Sequence, residues 1–298
     1  VNGLLLIDKA QGMTSHDVVA RVRRIINMRS IGHAGTLDPF ATGLLILCIG
    51  HATRLSEYLL GETKTYLGRM KLGERTNTDD VDGEVVAQRP VHIAQADLER
   101  VRAQFYGDIL QVPPQYSAIQ IGGQRAYKMA RHGETVDLPA RPVHISELTL
   151  TWPGEGPFVE LRVTCTAGTY IRALARDMGE ALGCGAHLTA LRRVQSGSFR
   201  LDEALTLEQL QTAVRDGDWA RCLLPMDRAV EHLPAVHLDH ERAARLLLGQ
   251  NVPAQTDANA PASDLCRVYD ETGLFIAIGG YDGATTSVRP LKVFHPRE

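Results

Sequence analysis

Two kinds of apolar pattern alternate along the first half of the chain. Residues 3–8 read as a strand, and Leu44-Leu45-Ile46-Leu47-Cys48-Ile49 is an unbroken apolar run of the kind a buried strand carries. Between them Val18, Val19, Val22, Ile25 and Ile26 recur at helical spacing, with Ser15 placed to cap the helix and Asp17 near its positive end. The stretch 31–43 is glycine-rich and irregular, which predicts a loop feeding a core strand. Residues 64–72 predict a strand with Tyr66, Gly68, Met70 and Leu72 on one face and Thr65, Leu67, Arg69 and Lys71 on the other.

Further on, Leu98, Val101 and Phe105 mark a helix over 94–105, and Val112-Pro113-Pro114 is expected to end that element. Residues 115–142 are polar, basic and punctuated by glycine and proline. They predict an excursion from the core, open between a segment that grips a partner and a plain exposed insertion. Strands are expected at 143–152 and 158–164, then a helix over 171–182 ended by Gly183. Beyond Leu233-Pro234, a short helix near 241–248 and strand-like runs at 266–269, 275–279 and 291–294 suggest a separate β-rich module. A chain of 298 residues has room for a large domain, 1–230, and a small one, 231–298.

Composition narrows the class. With 44% hydrophobic and 22% charged residues the chain reads as globular, and its apolar runs fall far short of the ~18 residues a membrane span needs. Cytoplasmic residence, with no membrane partner, is the expectation. The cysteines, Cys48, Cys165, Cys184, Cys222 and Cys266, stand singly, so neither a disulfide framework nor a zinc ribbon is indicated. The histidines closest in sequence among the candidate ligands, His237 and His240, lack a third ligand nearby, and no metal site is expected. Asp80-Val81-Asp82-Gly83 mimics part of a calcium loop, but Thr78 and Arg89 stand where carboxylates would be needed, so it reads as a polar turn.

A net charge of −3 argues mildly against a nucleic-acid partner, yet its distribution softens the objection. From His232 onward six Lys or Arg meet eight Asp or Glu, which leaves the main part near neutral. Within it basic residues cluster: Lys9, Arg21, Arg23, Arg24 and Arg29; then Lys64, Arg69, Lys71 and Arg75; then Arg125, Lys128 and Arg131; then Arg192 and Arg193. One such cluster is ordinarily a solvated face. Several together make a polyanion-binding surface plausible.

Two segments could carry chemistry. In Gly32-His33-Ala34-Gly35-Thr36-Leu37-Asp38-Pro39-Phe40-Ala41-Thr42-Gly43, Pro39 biases Asp38 away from the helical region and the glycines allow a tight backbone. Asp38 is then either a carboxylate held at a pocket wall or an Asp-Pro turn bonding its own backbone. The glycine spacing lacks the Gly-Lys-Ser/Thr ending of a phosphate loop. In Gly168-Thr169-Tyr170-Ile171-Arg172 a strand gives way to a helix, and Arg172 could pair with a buried carboxylate or form an ordinary surface pair. Tyr66 is open between core packing and stacking on a base.

The block 32–39, followed by Ala41-Thr42-Gly43-Leu44-Leu45, resembles the signature of the TruB family of tRNA pseudouridine-55 synthases. Further matching stretches run in order from residue 3 to about residue 230. They are Asp8-Lys9, Gly12-Met13-Thr14-Ser15, Lys64-Thr65-Tyr66, Thr78-Asp79-Asp80-Val81-Asp82-Gly83, Pro113-Pro114-Gln115-Tyr116-Ser117-Ala118, Gly168-Thr169-Tyr170-Ile171-Arg172, and Gly183-Cys184-Gly185-Ala186-His187-Leu188 leading to Leu191-Arg192-Arg193. The resemblance implies an α+β pseudouridine synthase fold: a mixed, largely antiparallel sheet in two subdomains with a central RNA cleft, an RNA-gripping insertion at 115–142, and a PUA-like C-terminal domain. Ala10 departs from the proline usual after Lys9, and the acidic count of the C-terminal module departs from an RNA-binding surface.

By the same resemblance the partner is the T-arm stem-loop of transfer RNA, and no cofactor or obligatory protein partner is expected of a monomer. Asp38, Tyr66 and Arg172 are the implied catalytic residues. His33, Tyr66, Tyr170, Leu191 and Lys9 are the implied substrate contacts, with His33 supporting the disrupted loop and Tyr66 stacking on the extruded base. Asp38 would attack C1′ of the ribose or C6 of the base, or promote loss of a ribose proton, with Arg172 keeping it ionised; Tyr66 could also act as a base. Two other classes are an RNA chaperone of this fold and a glycosylase that releases free base.

Overall fold

The computed structural model describes residues 1–117, 120, 121, 124, 125, 137–254 and 264–295. Of the sequence expectations, Lys128 and Arg131 and most of the 115–142 excursion lie outside the described residues. The strands are β1 (Gly3–Lys9), β2 (Ile31–Ala34), β3 (Thr42–Ile49), β4 (Lys64–Leu72), β5 (Glu74–Thr76), β6 (Val85–Gln88), β7 (Gly107–Gln111), β8 (Gln120–Ile121), β9 (Gln124–Arg125), β10 (Arg141–Thr151), β11 (Phe158–Cys165), β12 (Ala186–Ser196), β13 (Phe199–Arg200), β14 (Ala235–His237), β15 (Val252–Pro253), β16 (Leu265–Tyr269), β17 (Phe275–Asp282) and β18 (Ser287–Val293). The helices are α1 (Ser15–Ile25), α2 (Ser56–Leu60), α3 (Gln95–Gln104), α4 (Ile171–Ala181), α5 (Leu207–Arg215) and α6 (His240–Leu247).

One continuous sheet runs β1-β3-β12-β4-β11-β10-β7, with β2 added on β3 and β13 on β12. Its neighbours pair antiparallel except at β3 and β12, which meet in parallel through Thr42 with Arg192 and Gly43 with Arg193. That seam is the one parallel pairing in this sheet among the described residues. A second sheet, β14-β16-β17-β18-β15, forms the C-terminal module.

The apolar runs of β1 and β3 are continuous because both faces are covered. Leu5, Ile7, Leu45, Leu47 and Ile49 point into a core closed by Val18, Val19 and Val22 of α1 and by Leu174 and Met178 of α4. The alternate residues Leu4, Leu6, Leu44, Ile46 and Cys48 enter a second core with Ala229, Val230, Tyr269, Phe275 and Phe294. A period of two therefore sends successive residues to two cores. The C-terminal module shares the second core with the main sheet rather than hanging from a linker. Tyr269 donates to Asp227 at 2.8 Å and Arg54 donates to the Val293 carbonyl at 2.6 Å across the same boundary.

Several expectations are corrected. Thr14, not Ser15, caps α1, accepting from Asp17 N while Asp17 accepts from Thr14 N. The helix at 95–104 is followed by β7 before Val112-Pro113-Pro114, so the prolines end a strand. The last strand is Ser287–Val293, not 291–294. Strand β12, inside the sheet between β3 and β4, has no counterpart among the predicted elements, because its run Leu188-Thr189-Ala190-Leu191-Arg192-Arg193 breaks alternation with three polar residues.

Candidate active site

The 35–41 loop is held from beneath by side chains of three distant elements. Ser15 Oγ accepts from Leu37 N at 2.8 Å and donates to Leu37 O at 3.2 Å. Arg193, only 1% exposed, donates to Gly35 O at 3.0 Å and to Leu44 O at 2.8 Å, gripping both ends of the loop. Gly35 takes φ +93°, a conformation that favours glycine. Lys9 Nζ donates to Ala10 O, Met13 O and Pro39 O at 3.1, 2.7 and 3.3 Å. Lys9 is fully buried, and desolvation lowers its pKa to about 8. The ammonium of Lys9, expected to contact RNA, is turned to three carbonyls and anchors the Asp38-Pro39 turn.

This scaffold presents Asp38 to Arg172. Arg172 Nη2 donates to Asp38 Oδ1 at 3.2 Å, and Nε lies 3.0 Å from Oδ2, so the guanidinium meets the carboxylate side-on. Arg172 is 5% exposed and Asp38 35%, which leaves the carboxylate open to a ligand while its partner is shut away. Arg172 follows Tyr170, whose main-chain N–H and carbonyl are both taken by the side-chain amide of buried Gln111, at 2.8 and 3.0 Å. Arg172 also donates to Thr78 O and Tyr116 O, each at 3.0 Å.

Asp38, Tyr66, Tyr170, Arg172 and Leu191 line one cavity of about 290 Å³, at the small end of ligand-sized pockets. Tyr66 lies on β4 and Leu191 on the neighbouring β12, where Leu191 pairs with Gly68. Burial pushes the Tyr66 phenol up, so it stays protonated near neutral pH and a phenolate base is disfavoured. Arg141 stacks over the Tyr170 ring at 4.6 Å, bracing it from outside. His33, on β2, is not part of the cavity lining. Its ring meets His16 edge-on at 5.9 Å, its buried Nδ1 has no hydrogen-bond partner among the described residues, and desolvation lowers its pKa.

Sequence reasoning missed the acids behind the pair. Asp80, read as part of a polar turn, is 4% exposed and lies 3.3 Å from Arg172 Nη1. Its carboxyl is pushed up by burial, opposed by the Thr78 hydroxyl, which donates to it at 2.6 Å, and by Arg172. One turn along α4, Arg176 repeats the arrangement with Asp79 at 2.9 Å and the Val112 carbonyl at 2.8 Å. The i, i+4 spacing of Arg172 and Arg176 on an otherwise apolar helix face was the available signal. Lys64 and Arg193, given no role of their own among the basic clusters and matching motifs, line the cavity as well. Among the described residues no cluster of three or more His, Cys, Asp or Glu could hold a metal, and no helix is long and apolar enough to cross a membrane.

Comparison with known proteins adds to the geometry. Residues 23–171 match the model of the TruB family pseudouridylate synthase N-terminal domain. Residues 172–231 match a tRNA pseudouridylate synthase B C-terminal domain, and 234–293 match pseudouridine synthase II TruB, C-terminal. The tRNA pseudouridine synthase B of Ralstonia pickettii is 43% identical, covering 99% of this chain and 95% of the relative. That of Pseudomonas aeruginosa is 44% identical, covering 94% and 91%. Among solved structures, an H/ACA RNP bound to a substrate RNA containing 2′-deoxyuridine superposes with a TM-score of 0.75 at 29% identity, over 99% of this chain and 86% of that one. A Cbf5-Nop10-Gar1 complex gives 0.76 at 30% identity, over 99% and 85%. With matched models spanning nearly the whole chain and relatives above 40% identity along its length, the chain belongs to the TruB family of pseudouridylate synthases.

Proposed function

We propose that this chain is a tRNA pseudouridine synthase that isomerises a uridine in the T-loop of transfer RNA, with Asp38 as the catalytic carboxylate. The observation that carries the reading is Asp38 itself: half-open to a cavity, and held by an arginine that solvent does not reach. A uridine in a folded loop must leave its stack to enter such a cavity. Tyr66, Tyr170 and Leu191 offer the flat and apolar walls that would receive it. His33, on the strand that leads into the loop, would support the RNA left behind.

The reaction breaks the C1′–N1 bond, turns the uracil and joins C5 to C1′, with no net change of atoms or redox state, so no external reactant is required. Asp38 acts as nucleophile or as acceptor of a ribose proton, and the guanidinium of Arg172 holds it in place. RNA affinity would come from the basic clusters outside the cavity. Cytoplasmic action on tRNA as a monomer, and division into 1–230 and 231–298, complete the reading. The test is a product assay on a T-arm stem-loop. Pseudouridine in the product supports the reading; released free base would make the protein a glycosylase, and unaltered RNA with remodelled structure a chaperone.

A further inference from the structure

Lys64, Arg172 and Arg193 line the cavity with Asp38, and Lys9 lies buried beneath the Asp38-Pro39 turn. Arg172 is shared between Asp38 and Asp80. Lys9, Lys64 and Arg193 are 0, 7 and 1% exposed, and none has a carboxylate within 4.0 Å among the described residues. Lys64 Nζ donates to Leu60 O and Glu62 O at 2.8 and 2.6 Å, and Arg193 to Leu44 O and Gly35 O. Carbonyl dipoles satisfy the donors but do not neutralise the charge. Lys64 and Arg193 reach the cavity wall, beside apolar Leu37, Leu60 and Ile171. Buried cations with no carboxylate in contact are costly, and the cost is offset when an anion arrives among them.

We propose that Lys64 and Arg193 stabilise the negative charge that uracil acquires when it parts from the ribose, an inference that rests on the pseudouridine synthase reading above. The C1′–N1 bond breaks with its electron pair going to the base. C1′ either bonds to an Asp38 oxygen or, after a C2′ proton passes to Asp38, becomes part of an enol ether. The uracil anion turns within the cavity. C5 then bonds to C1′, releasing the Asp38 oxygen or drawing the proton back to C2′; the C5 proton leaves and N1 gains one. Preorganised cations in a water-poor cavity act most strongly on the step in which charge develops. They would also keep the detached base from escaping.

The test compares single-turnover cleavage of the C1′–N1 bond in T-arm stem-loops carrying uridine or 5-fluorouridine at the target position. Fluorine makes the departing base a weaker base that needs less help. Lys64→Met is expected to slow the uridine substrate by about 10²-fold and the fluorinated one by about tenfold, while Lys64→Arg keeps the wild-type ratio. The ratio of the two rates does not depend on how much of a variant is folded, so it also reads Arg193→Lys, which is expected to raise it. Equal slowing of both substrates would overturn the inference. So would a Lys64→Met defect that vanishes when the phosphate of the target nucleotide is replaced by neutral methylphosphonate, since the charge would then serve the backbone. Wild-type enzyme that leaves uridine unchanged would refute the underlying reading instead.

Discussion

Arg172 and Asp38 are 134 residues apart in sequence and meet through two guanidinium nitrogens, at 3.0 and 3.2 Å, with the arginine sealed in and the carboxylate half-open. The asymmetry supports the proposed roles, in which the buried partner orients and the open one reacts. Asp80, 3.3 Å from Nη1, is a second carboxylate on the same guanidinium.

Asp38→Asn keeps size and shape and removes the charge. RNA affinity should stay near wild type, because it derives from distributed phosphate contacts. Single-turnover pseudouridine formation should fall by at least about 10³-fold. The pair of measurements is a binding isotherm and a rate on the same stem-loop. Wild-type-like isomerisation would sink the assignment of Asp38.

Arg172→Met strands Asp80 without its cation, and removing one partner of a buried pair costs about 3 kcal/mol or more. A lowered melting temperature and a loss of turnover should therefore appear together. The salt dependence of RNA binding should hardly change, since Arg172 faces carboxylates rather than the surface. A salt slope reduced by about one, with turnover intact, would make Arg172 a phosphate contact.

Gly43 takes φ +98°, and a Cβ placed there would stand 2.3 Å from the Arg193 carbonyl across the β3–β12 seam. Gly43→Ala should destabilise the protein by about 2 kcal/mol from the backbone conformation alone, with the clash added. Because Arg193 also holds the loop at Gly35, turnover should fall further than the loss of folded protein explains. Thermal melts and rates normalised to folded enzyme check both parts.

The rate and the stability should respond oppositely to alkaline pH. In the folded protein Lys9 and Lys64 release protons near pH 8, whereas in the unfolded chain they hold them to about 10.5. Between those values the unfolded chain binds more protons, so the contribution of these lysines to stability rises with pH. The positive field in the cavity falls over the same range, and single-turnover rates should fall with it. Lys64→Arg retains its charge and should flatten the decline. Unchanged decline in that variant would assign it to the RNA or to another group.

Deleting the chain beyond residue 230 would uncover the second core, in which Tyr269, Phe275 and Phe294 pack with Leu4, Leu6 and Ile46. The truncated protein should melt well below the full chain and bind a hydrophobic dye, although every residue of the cavity remains. A truncation that melts like the full chain would show that the shared core contributes little.

Local pattern alone determined much of this protein. The strand at 64–72 and the helix beginning at Ile171 follow from periodicity and from a stop signal such as Gly183. The ordered motifs around Asp38, Tyr66 and Arg172 pointed to the family and to the pocket those residues share. Tertiary structure decided what local signals could not carry. Charge and polarity say nothing about burial, so the closing of three carbonyls around the Lys9 ammonium was not legible in advance. Asp80 read as a turn residue until α4 brought Arg172 against it. Strand β12 is fixed by its long antiparallel pairing with β4 and its short parallel contact with β3, and its arginine at 193 ties the sheet to the loop that carries Asp38. Pairings across more than a hundred residues depend on the register of the whole sheet, and that register exists only once the chain has folded.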